Sequence, residues 1–312
     1  MPAHARLAAL PVLALLMGAI ALGSSPILVR LSELEPTATA FYRVALAAPA
    51  FLLISYNSSR PADAAPNASV RSELLWLAVA GVFFALDLLC LHWSLRYTSV
   101  ANATLFLNFA PFFVALGAWL IFGESPTLRT VVSFAIAITG IFLLVGGVSA
   151  VKPNQHFGDL LGIGAGAAYG AYLLVVSRFR HRLSTSLVMG ITTMSCALAL
   201  LPVATLLGES LMPSTLLAWM ILLALALLTH AAGQGLLVFA MKYLPASTSS
   251  VTLLLQPVVA ACGAWVLFQE RLSFWQIVGA GVVLVGIVLC HNAPQQRSES
   301  RTNLKSKRPR PR

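Results

Sequence analysis

The sequence is poor in charge. Asp, Glu, Lys and Arg make up only 10% of its 312 residues, whereas soluble globular proteins contain about 25%. Hydrophobic residues make up 58%, which is more than the interior of a water-soluble fold can hold. The alternation of apolar and polar residues that a transmembrane β-barrel needs over about ten residues is missing as well. The sequence therefore predicts an all-α integral membrane protein.

Motifs of intramembrane enzymes are also missing. The chain has no HExxH metal pair, no GxSx serine paired with a helical histidine and no GxGD aspartate. Its cysteines lie within apolar stretches and lack the CxxC or Cys/His spacing of metal ligands, which favours a role as small apolar residues. We therefore expect no enzyme activity, no metal site and no cofactor. The cysteines are Cys90, Cys196, Cys262 and Cys290.

What the sequence does contain is a series of long apolar stretches. A helix of about 20 residues crosses about 30 Å of hydrocarbon, and ten stretches have roughly this length, separated by short polar gaps. The first could be a secretory signal, but its uncharged run is longer than the apolar part of such signals, so we predict a retained helix. The ten predicted spans are 8–29, 37–56, 74–94, 100–122, 129–148, 158–177, 185–207, 215–239, 246–268 and 273–291.

The basic residues predict the orientation in the membrane, because they are enriched in cytoplasmic loops. With both termini cytoplasmic, the outer side holds only Arg30, Arg96, Lys152 and Arg271. The inner side then holds Arg6, Arg60, Arg71, Arg129, Arg178, Arg180, Arg182, Lys242, Arg297, Arg301, Lys305, Lys307, Arg308, Arg310 and Arg312. The net charge of +10 thus reflects topology and a basic, disordered tail at 292–312, and we expect no nucleic-acid partner.

One phrase occurs twice. The chain reads GAWLIFGE at 117–124 and GAWVLFQE at 263–270, and further residues 146 positions apart also match. The sequence therefore predicts two copies of a five-helix unit, at 1–148 and 158–291. Because five is odd, the second copy enters the membrane upside down, and the closing Glu124 and Glu270 are expected to cap equivalent helix ends at opposite faces. The other matching pairs are Tyr97 and Tyr243, Leu107 and Leu253, Pro111 and Pro257, Ala115 and Ala261, and Gly140 and Gly286.

These residues resemble the EamA-type proteins of the drug/metabolite transporter superfamily. The resemblance covers both copies, about 280 residues, and implies ten helices, inverted repeats and export of small metabolites. Two positions depart from it: Gln269 stands where the first copy has Gly123, and no arginine in the seventh span matches Arg43. The residues that carry it are Phe41-Tyr42-Arg43, Tyr97 to Ala103, Asn108 to Pro111 and Gly123-Glu124, with Tyr243 to Pro257, Glu270-Arg271, Gln276 and Gly279 in the second copy.

Two charged residues fall inside predicted spans, where a charge costs at least about 2.5–3.5 kcal/mol. Asp87, at the centre of the third span, is either a proton or cation carrier or the structural ion-pair partner of Arg43. Arg43, in the second span, would serve as that partner or bind a substrate carboxylate. The sequence leaves these interpretations open.

The eighth span, which matches the third, carries His230 and Gln234 one turn apart. Asp87 aligns with Gly233, so the polar residues of the two spans occupy the same level and are expected to face one cavity. His230 is then a second candidate proton carrier, although a membrane histidine can also be a simple hydrogen-bonded helix contact.

Further candidates lie on the fourth, sixth and ninth spans. Asn108 and Gln256 each lie near a repeated proline, Pro111 or Pro257, where a broken helix can form a substrate site and act as a hinge, or simply bend for packing. Tyr169 and Tyr172, three residues apart, and Trp93 would line a cavity for aromatic or amphipathic solutes, or serve packing. We expect the cavity between the third, fourth, eighth and ninth spans, completed by the first and sixth.

Together these features predict a secondary transporter that works by alternating access. It would move small organic metabolites, such as amino acids, across a bacterial inner membrane, with protons as a possible coupling ion and the outward direction implied by the resemblance alone. It would work as a monomer or homodimer. The alternatives are a nucleotide-sugar or sugar-phosphate exchanger, which needs more buried cations than Arg43, and a passive channel.

Overall fold

The structure, a computed structural model, describes residues 3–58, 68–97, 100–123, 127–144, 155–179, 182–268 and 273–291. Within these ranges the chain is helical and contains no strand. The two glutamates predicted to cap equivalent helix ends, Glu124 and Glu270, lie outside the described residues, as does the basic tail.

The described helices can be grouped into ten segments, each of which overlaps one of the predicted stretches. Seven helices are long and apolar enough to cross a membrane, and three apolar helices are shorter, Leu105–Ile121, Leu128–Leu144 and Phe274–Cys290. The protein is thus a multi-pass integral membrane protein. Numbered in chain order, the segments are Ala3–Gly23 with Ser25–Leu31 (segment 1), Pro36–Ala45 with Ala48–Ser58 (2), Ala68–Tyr97 (3), Val100–Leu107 with Ala110–Phe122 (4), Leu128–Leu144 (5), Gln155–Phe179 (6), Thr185–Leu206 (7), Leu216–Met241 (8), Ala246–Thr252 with Leu253–Leu255 and Gln256–Phe268 (9), and Phe274–His291 (10).

Several spans predicted as uninterrupted helices are broken, and prolines account for most of the breaks. Segment 1 breaks just before Pro26, and segment 2 breaks at 46–47 just before Pro49. A proline has no N–H to donate to the preceding turn, which weakens the helix at that point. At the first break the Ser24 hydroxyl donates to the carbonyl of Ala21 at 2.7 Å.

The two repeated prolines lie beside equivalent distortions. Segment 4 is interrupted at residues 108–109, immediately before the helix that carries Pro111. Segment 9 tightens into a 3-10 turn at Leu253–Leu255, immediately before the helix that carries Pro257. The predicted irregular backbone beside both prolines is therefore present, with a full break in one copy and a tight turn in the other.

Segments 5 and 10 cross at matching positions of the repeat. A Cβ atom added at Gly140 would lie 2.8 Å from the carbonyl oxygen of Gly279, and one added at Gly286 would lie 2.8 Å from that of Ser133. Residues 133 and 279 are equivalent, as are 140 and 286. Going from the first contact to the second, the residue number falls along segment 5 and rises along segment 10. These equivalent segments therefore run antiparallel.

A second pair of contacts repeats in the same way. The Leu174 side chain of segment 6 fills the space over Gly117 of segment 4, and the Ile27 side chain of segment 1 fills the space over Gly263 of segment 9. The fourth helix of each copy therefore packs against the first helix of the other copy. The main hydrophobic core lies where segments 2, 3, 6, 7 and 8 meet.

Candidate substrate site

Five rings from four segments form an aromatic cluster inside this core. The Phe84 ring of segment 3 stacks on the His230 ring with a centroid distance of 5.5 Å and lies 5.0 Å from the Tyr172 ring. Tyr169 and Tyr172 of segment 6 stack at 5.9 Å. Phe51 of segment 2 meets the edge of His230 at 6.3 Å. We call these five residues the aromatic cluster.

Hydrogen bonds attach polar groups of segments 7 and 8 to this cluster. His230 Nε2 and Thr193 Oγ1 lie 2.8 Å apart, and the Tyr169 hydroxyl donates to Gln234 Oε1 at 3.2 Å. The remaining ring nitrogen of His230 and the amide nitrogen of Gln234 are buried without a partner. The cluster therefore presents free polar atoms as well as aromatic faces.

The backbone that carries His230 and Gln234 is a π-helix, Leu225–Gln234, between two α-helical parts of segment 8. Such wide turns are rare and are frequently found at functional sites. The Thr229 hydroxyl donates to the carbonyl of Leu225 at 2.7 Å, within the same stretch of wide turns. Segment 3, the equivalent helix of the first copy, is α-helical along its whole length.

The two charged residues lie beside the aromatic cluster without forming a direct ion pair. Arg43 and Asp87 are buried, with exposed fractions of 8% and 4%, and lie within electrostatic range of each other. Arg43 Nη1 instead donates to Ser25 Oγ at 3.0 Å. A direct ion pair does form elsewhere, between Arg182 and Glu73 near the far end of the bundle. The structure thus shows no direct contact between Arg43 and Asp87, and the interpretation of Asp87 as the structural partner of Arg43 stays a prediction.

Both charges keep an unsatisfied atom. Arg43 Nε and Asp87 Oδ1 have no hydrogen-bond partner, although each is shielded from solvent. An unsatisfied buried polar atom costs about 1–3 kcal/mol, and more when it is charged. A buried polar atom without a partner in the protein is a candidate contact for a ligand, an ion or water.

Six of the seven unpartnered buried side-chain atoms found among the described residues belong to segments 2, 3 and 8. Two of these residues, Thr37 and His92, are not among those predicted from the sequence. The His92 ring lies beside the backbone of Pro36, at the same end of the bundle as Thr37. The unpartnered atoms thus form a polar column that runs from this end to the aromatic cluster. They belong to Thr37, Arg43, Asp87, His92, His230 and Gln234, the seventh to Ser249.

Three predicted substrate contacts belong to neither the aromatic cluster nor the polar column. Trp93 is half-buried and packs on Tyr97 near the end of segment 3, with ring centroids 6.4 Å apart. Asn108 is buried at the break of segment 4. Gln256 is half-buried after the 3-10 turn of segment 9, with its backbone oxygen against Gly23 of segment 1. Segment 7, which the predicted cavity did not include, supplies Thr193.

The fold and site define a class: a helical membrane protein with a sealed polar and aromatic site in its core, as transport proteins have. The model of the EamA-like transporter family matches residues 9–146 and 156–291. The chain therefore belongs to the EamA-like transporter family, which confirms the predicted family. Membership indicates a transporter rather than an enzyme.

Curated relatives carry transporter names. An uncharacterized transporter from Archaeoglobus fulgidus is 28% identical over 83% of this chain and 89% of its own length. The pseudopaline exporter CntI from Pseudomonas aeruginosa is 26% identical over 70% of this chain and 75% of its own length. A solved crystal structure with 18% identity superposes with a TM-score of 0.72 over 88% of this chain and 95% of that one, which shows that the fold is shared.

Proposed function

We propose that the protein exports a small zwitterionic metabolite with an aromatic or apolar side chain, in exchange for protons, by alternating access. The observation that carries the proposal is the pair of separated buried charges, Arg43 and Asp87, each with an unpartnered atom, next to the aromatic cluster. Transport itself follows from the family, whereas substrate, direction and coupling are the parts proposed.

The substrate class follows from the chemistry of the site. A substrate ammonium would bind Asp87 Oδ1, a substrate carboxylate would bind the guanidinium of Arg43, and an apolar or aromatic side chain would contact the aromatic cluster. Tyr169, Tyr172 and Gln234 would contact the substrate in this arrangement. Asn108, Gln256 and Trp93 remain candidates for the route by which the substrate enters or leaves.

Proton coupling requires a group that can carry charge in one step and lose it in the next. Asp87 is the first candidate, because no cation among the described residues contacts its carboxylate. Binding a proton therefore leaves the buried site uncharged at this position, and releasing the proton leaves it charged. His230 is the second, since one of its ring nitrogens is unpartnered. The outward direction is supported by the relative that is named an exporter.

Two observations argue against the alternatives. Among the described lysines and arginines, Arg43 is the buried one. An exchanger of sugar phosphates needs several cations for each phosphate. The unpartnered atoms of the polar column are shielded from solvent, which fits an occluded carrier better than an open channel.

We also propose that the chain crosses the membrane ten times as two inverted copies, with both termini in the cytoplasm of a bacterial cell. The antiparallel crossing of the equivalent segments 5 and 10 supports inversion, because copies related by an axis along the membrane normal would run parallel. Labels on cysteines placed at Arg312 and at Lys152 should react from opposite sides of the membrane. Reaction from the same side would contradict the inverted arrangement.

The function can be tested with purified protein in liposomes. Vesicles with an acidic lumen should accumulate phenylalanine or tyrosine as protons leave, whereas glucose 6-phosphate should not accumulate. Phenethylamine, which lacks the carboxylate, and phenylpropionate, which lacks the amine, should compete at least about tenfold more weakly, because each loses one charge-assisted bond. Counterflow that saturates with substrate would distinguish a carrier from a channel.

Arg43 variants provide the matched control for substrate class. Arg43→Gln should lose the preference for phenylalanine over phenethylamine, and Arg43→Lys should keep part of it, since it retains the charge but not the planar fork. Equal competition by the amine and the zwitterion in the parent protein would contradict the proposed substrate class.

A further inference from the structure

The connection between segments 7 and 8 lies across the start of segment 2. Glu209 Oε2 in this connection accepts a hydrogen bond from the backbone N–H of Ala38 at 2.7 Å, and the glutamate is buried. The Tyr42 hydroxyl donates to the carbonyl of Leu211 in the same connection. We call residues 207–215 the strap.

The far end of the strap is held by a second carboxylate, which belongs to the first copy. Glu33, between segments 1 and 2, accepts hydrogen bonds from the backbone N–H of Ser214, from its hydroxyl at 3.0 Å and from the Thr215 hydroxyl at 3.2 Å. These bonds, led by the one from the Ser214 backbone, lower the pKa of Glu33 below its usual range. Glu33 is therefore ionised at neutral pH, and this contact would weaken only as the pH falls through that lowered pKa.

Segment 2 differs from segments 7 and 8 in how its first turn is capped. Segments 7 and 8 are capped locally, since Ser184 accepts from the N–H of Leu187 and Thr215 accepts from that of Ala218. At the start of segment 2 the local candidate, Glu35, makes no side-chain cap. A carboxylate of the other copy, Glu209, takes that place. This cap exists only while the two copies meet at this end.

The strap lies above the polar column. Thr37, which is fully buried with an unpartnered hydroxyl, directly precedes Ala38, and Arg43 follows in the second turn of the same helix. A solute that reached Arg43 from this end would have to displace the strap from the first turn of segment 2. The strap therefore closes this end of the proposed pathway.

We propose that the strap is the gate on this side, which our topology makes the outer side, and that Glu209 and Glu33 are its latches. Opening toward this side requires the Glu209 cap on Ala38 to break, because the cap joins a loop of one copy to a helix of the other. This inference rests on the proposed alternating access. It assigns to the two acidic residues a role in timing the release of substrate, separate from substrate binding.

The test measures access to Thr37 from the strap side. Thr37→Cys, in a background without the native cysteines, should react slowly with a membrane-impermeant thiol reagent because the position is sealed. Adding Glu209→Ala should raise the reaction rate about fivefold, since losing a helix cap of this kind typically costs about 1 kcal/mol. Glu33→Ala should raise it as well, and Glu209→Gln, which keeps an acceptor oxygen, should raise it less.

Two controls make the result specific. Glu73→Ala removes the ion pair at the opposite end and should not raise the rate. A cysteine at Ser133, buried at the crossing of segments 5 and 10, should stay unreactive. If it reacts in Glu209→Ala, that variant has lost packing throughout the bundle, and the labelling rate in Glu209→Gln is then the test of the proposal. An unchanged rate at Thr37→Cys in both Glu209 variants would overturn the proposal. Because the assay needs no substrate, faster labelling without any transport would support the latch while contradicting the proposed function.

Discussion

Replacing Asp87 by asparagine is expected to abolish accumulation of substrate against its gradient, while exchange of substrate across the membrane continues at saturating substrate. Exchange should need a higher substrate concentration than in the parent, because asparagine lacks the charge that would bind the substrate ammonium. Asparagine keeps the size and hydrogen-bonding capacity of a protonated aspartate but cannot release a proton. The pH-driven uptake into vesicles with an acidic lumen should therefore fall at least about tenfold. Without its proton carrier the protein can only equilibrate the substrate across the membrane. The measurement compares pH-driven uptake with counterflow in the same preparation.

The alternative, a purely structural role for Asp87, predicts a different pattern. Asp87→Asn would then lower expression or thermal stability, and the double variant with Arg43→Gln would recover part of the loss, because removing both charges leaves no unpaired one. The structure makes this outcome less expected, since Arg43 Nη1 is bonded to Ser25 rather than to Asp87. Normal pH-driven uptake by Asp87→Asn would contradict the coupling role.

Asp159 provides the matched control. It is a half-buried aspartate in the first turns of segment 6, outside the aromatic cluster and the polar column. Asp159→Asn makes the same chemical change at a membrane boundary and should leave both pH-driven uptake and counterflow within about twofold of the parent. A similar loss in both variants would mean that the effect follows from net charge rather than from the site.

The repeat allowed much of the architecture to be predicted from the sequence. Matching residues such as Gly140 and Gly286 lie at one symmetric crossing because the same local sequence folds into the same helix, which then packs on the equivalent partner. Asp87 and His230 stood out because polar side chains are costly within a span. The structure places both residues in the core where segments 2, 3, 6, 7 and 8 meet.

What could not be predicted depends on contacts between distant segments. Phe84 is one phenylalanine among 16, and only its stacking on His230 and Tyr172 distinguishes it. His92 lies near the end of a predicted span, where a polar side chain costs little free energy, so its position did not mark it as a candidate. The π-helix at Leu225–Gln234 has a sequence with ordinary helix formers, so its wide turns depend on packing against neighbouring segments rather than on local preference.

The breaks before the repeated prolines lead to the second prediction with a large effect. Segment 4 is fully interrupted before Pro111, whereas segment 9 only tightens before Pro257. If the two copies exchange conformations during transport, each proline would act as the hinge of its own half, and this difference would reverse in the opposite state. The two prolines should then control opening toward opposite sides of the membrane.

Replacing each proline by alanine should therefore shift the conformational equilibrium in opposite directions. Alanine restores an N–H that can bond to the carbonyl four residues earlier, Leu107 for Pro111→Ala and Leu253 for Pro257→Ala, and so straightens the helix. A gain of about 1.4 kcal/mol for the straight form corresponds to about a tenfold change in population. The readout is the thiol reactivity of Asn108→Cys, measured from each side of the membrane in a background without the native cysteines.

Reactivity from one side should rise in Pro111→Ala, and reactivity from the other side should rise in Pro257→Ala. Pro202, which lies inside segment 7 without an interruption of the helix, is the matched control, and Pro202→Ala should change neither. A shift toward the same side in both hinge variants would mean that the prolines share a packing role. No shift, with transport intact, would place the moving joint elsewhere, and the break of segment 2 before Pro49 would then be the next position to test, because it lies between Arg43 and the Phe51 ring of the aromatic cluster.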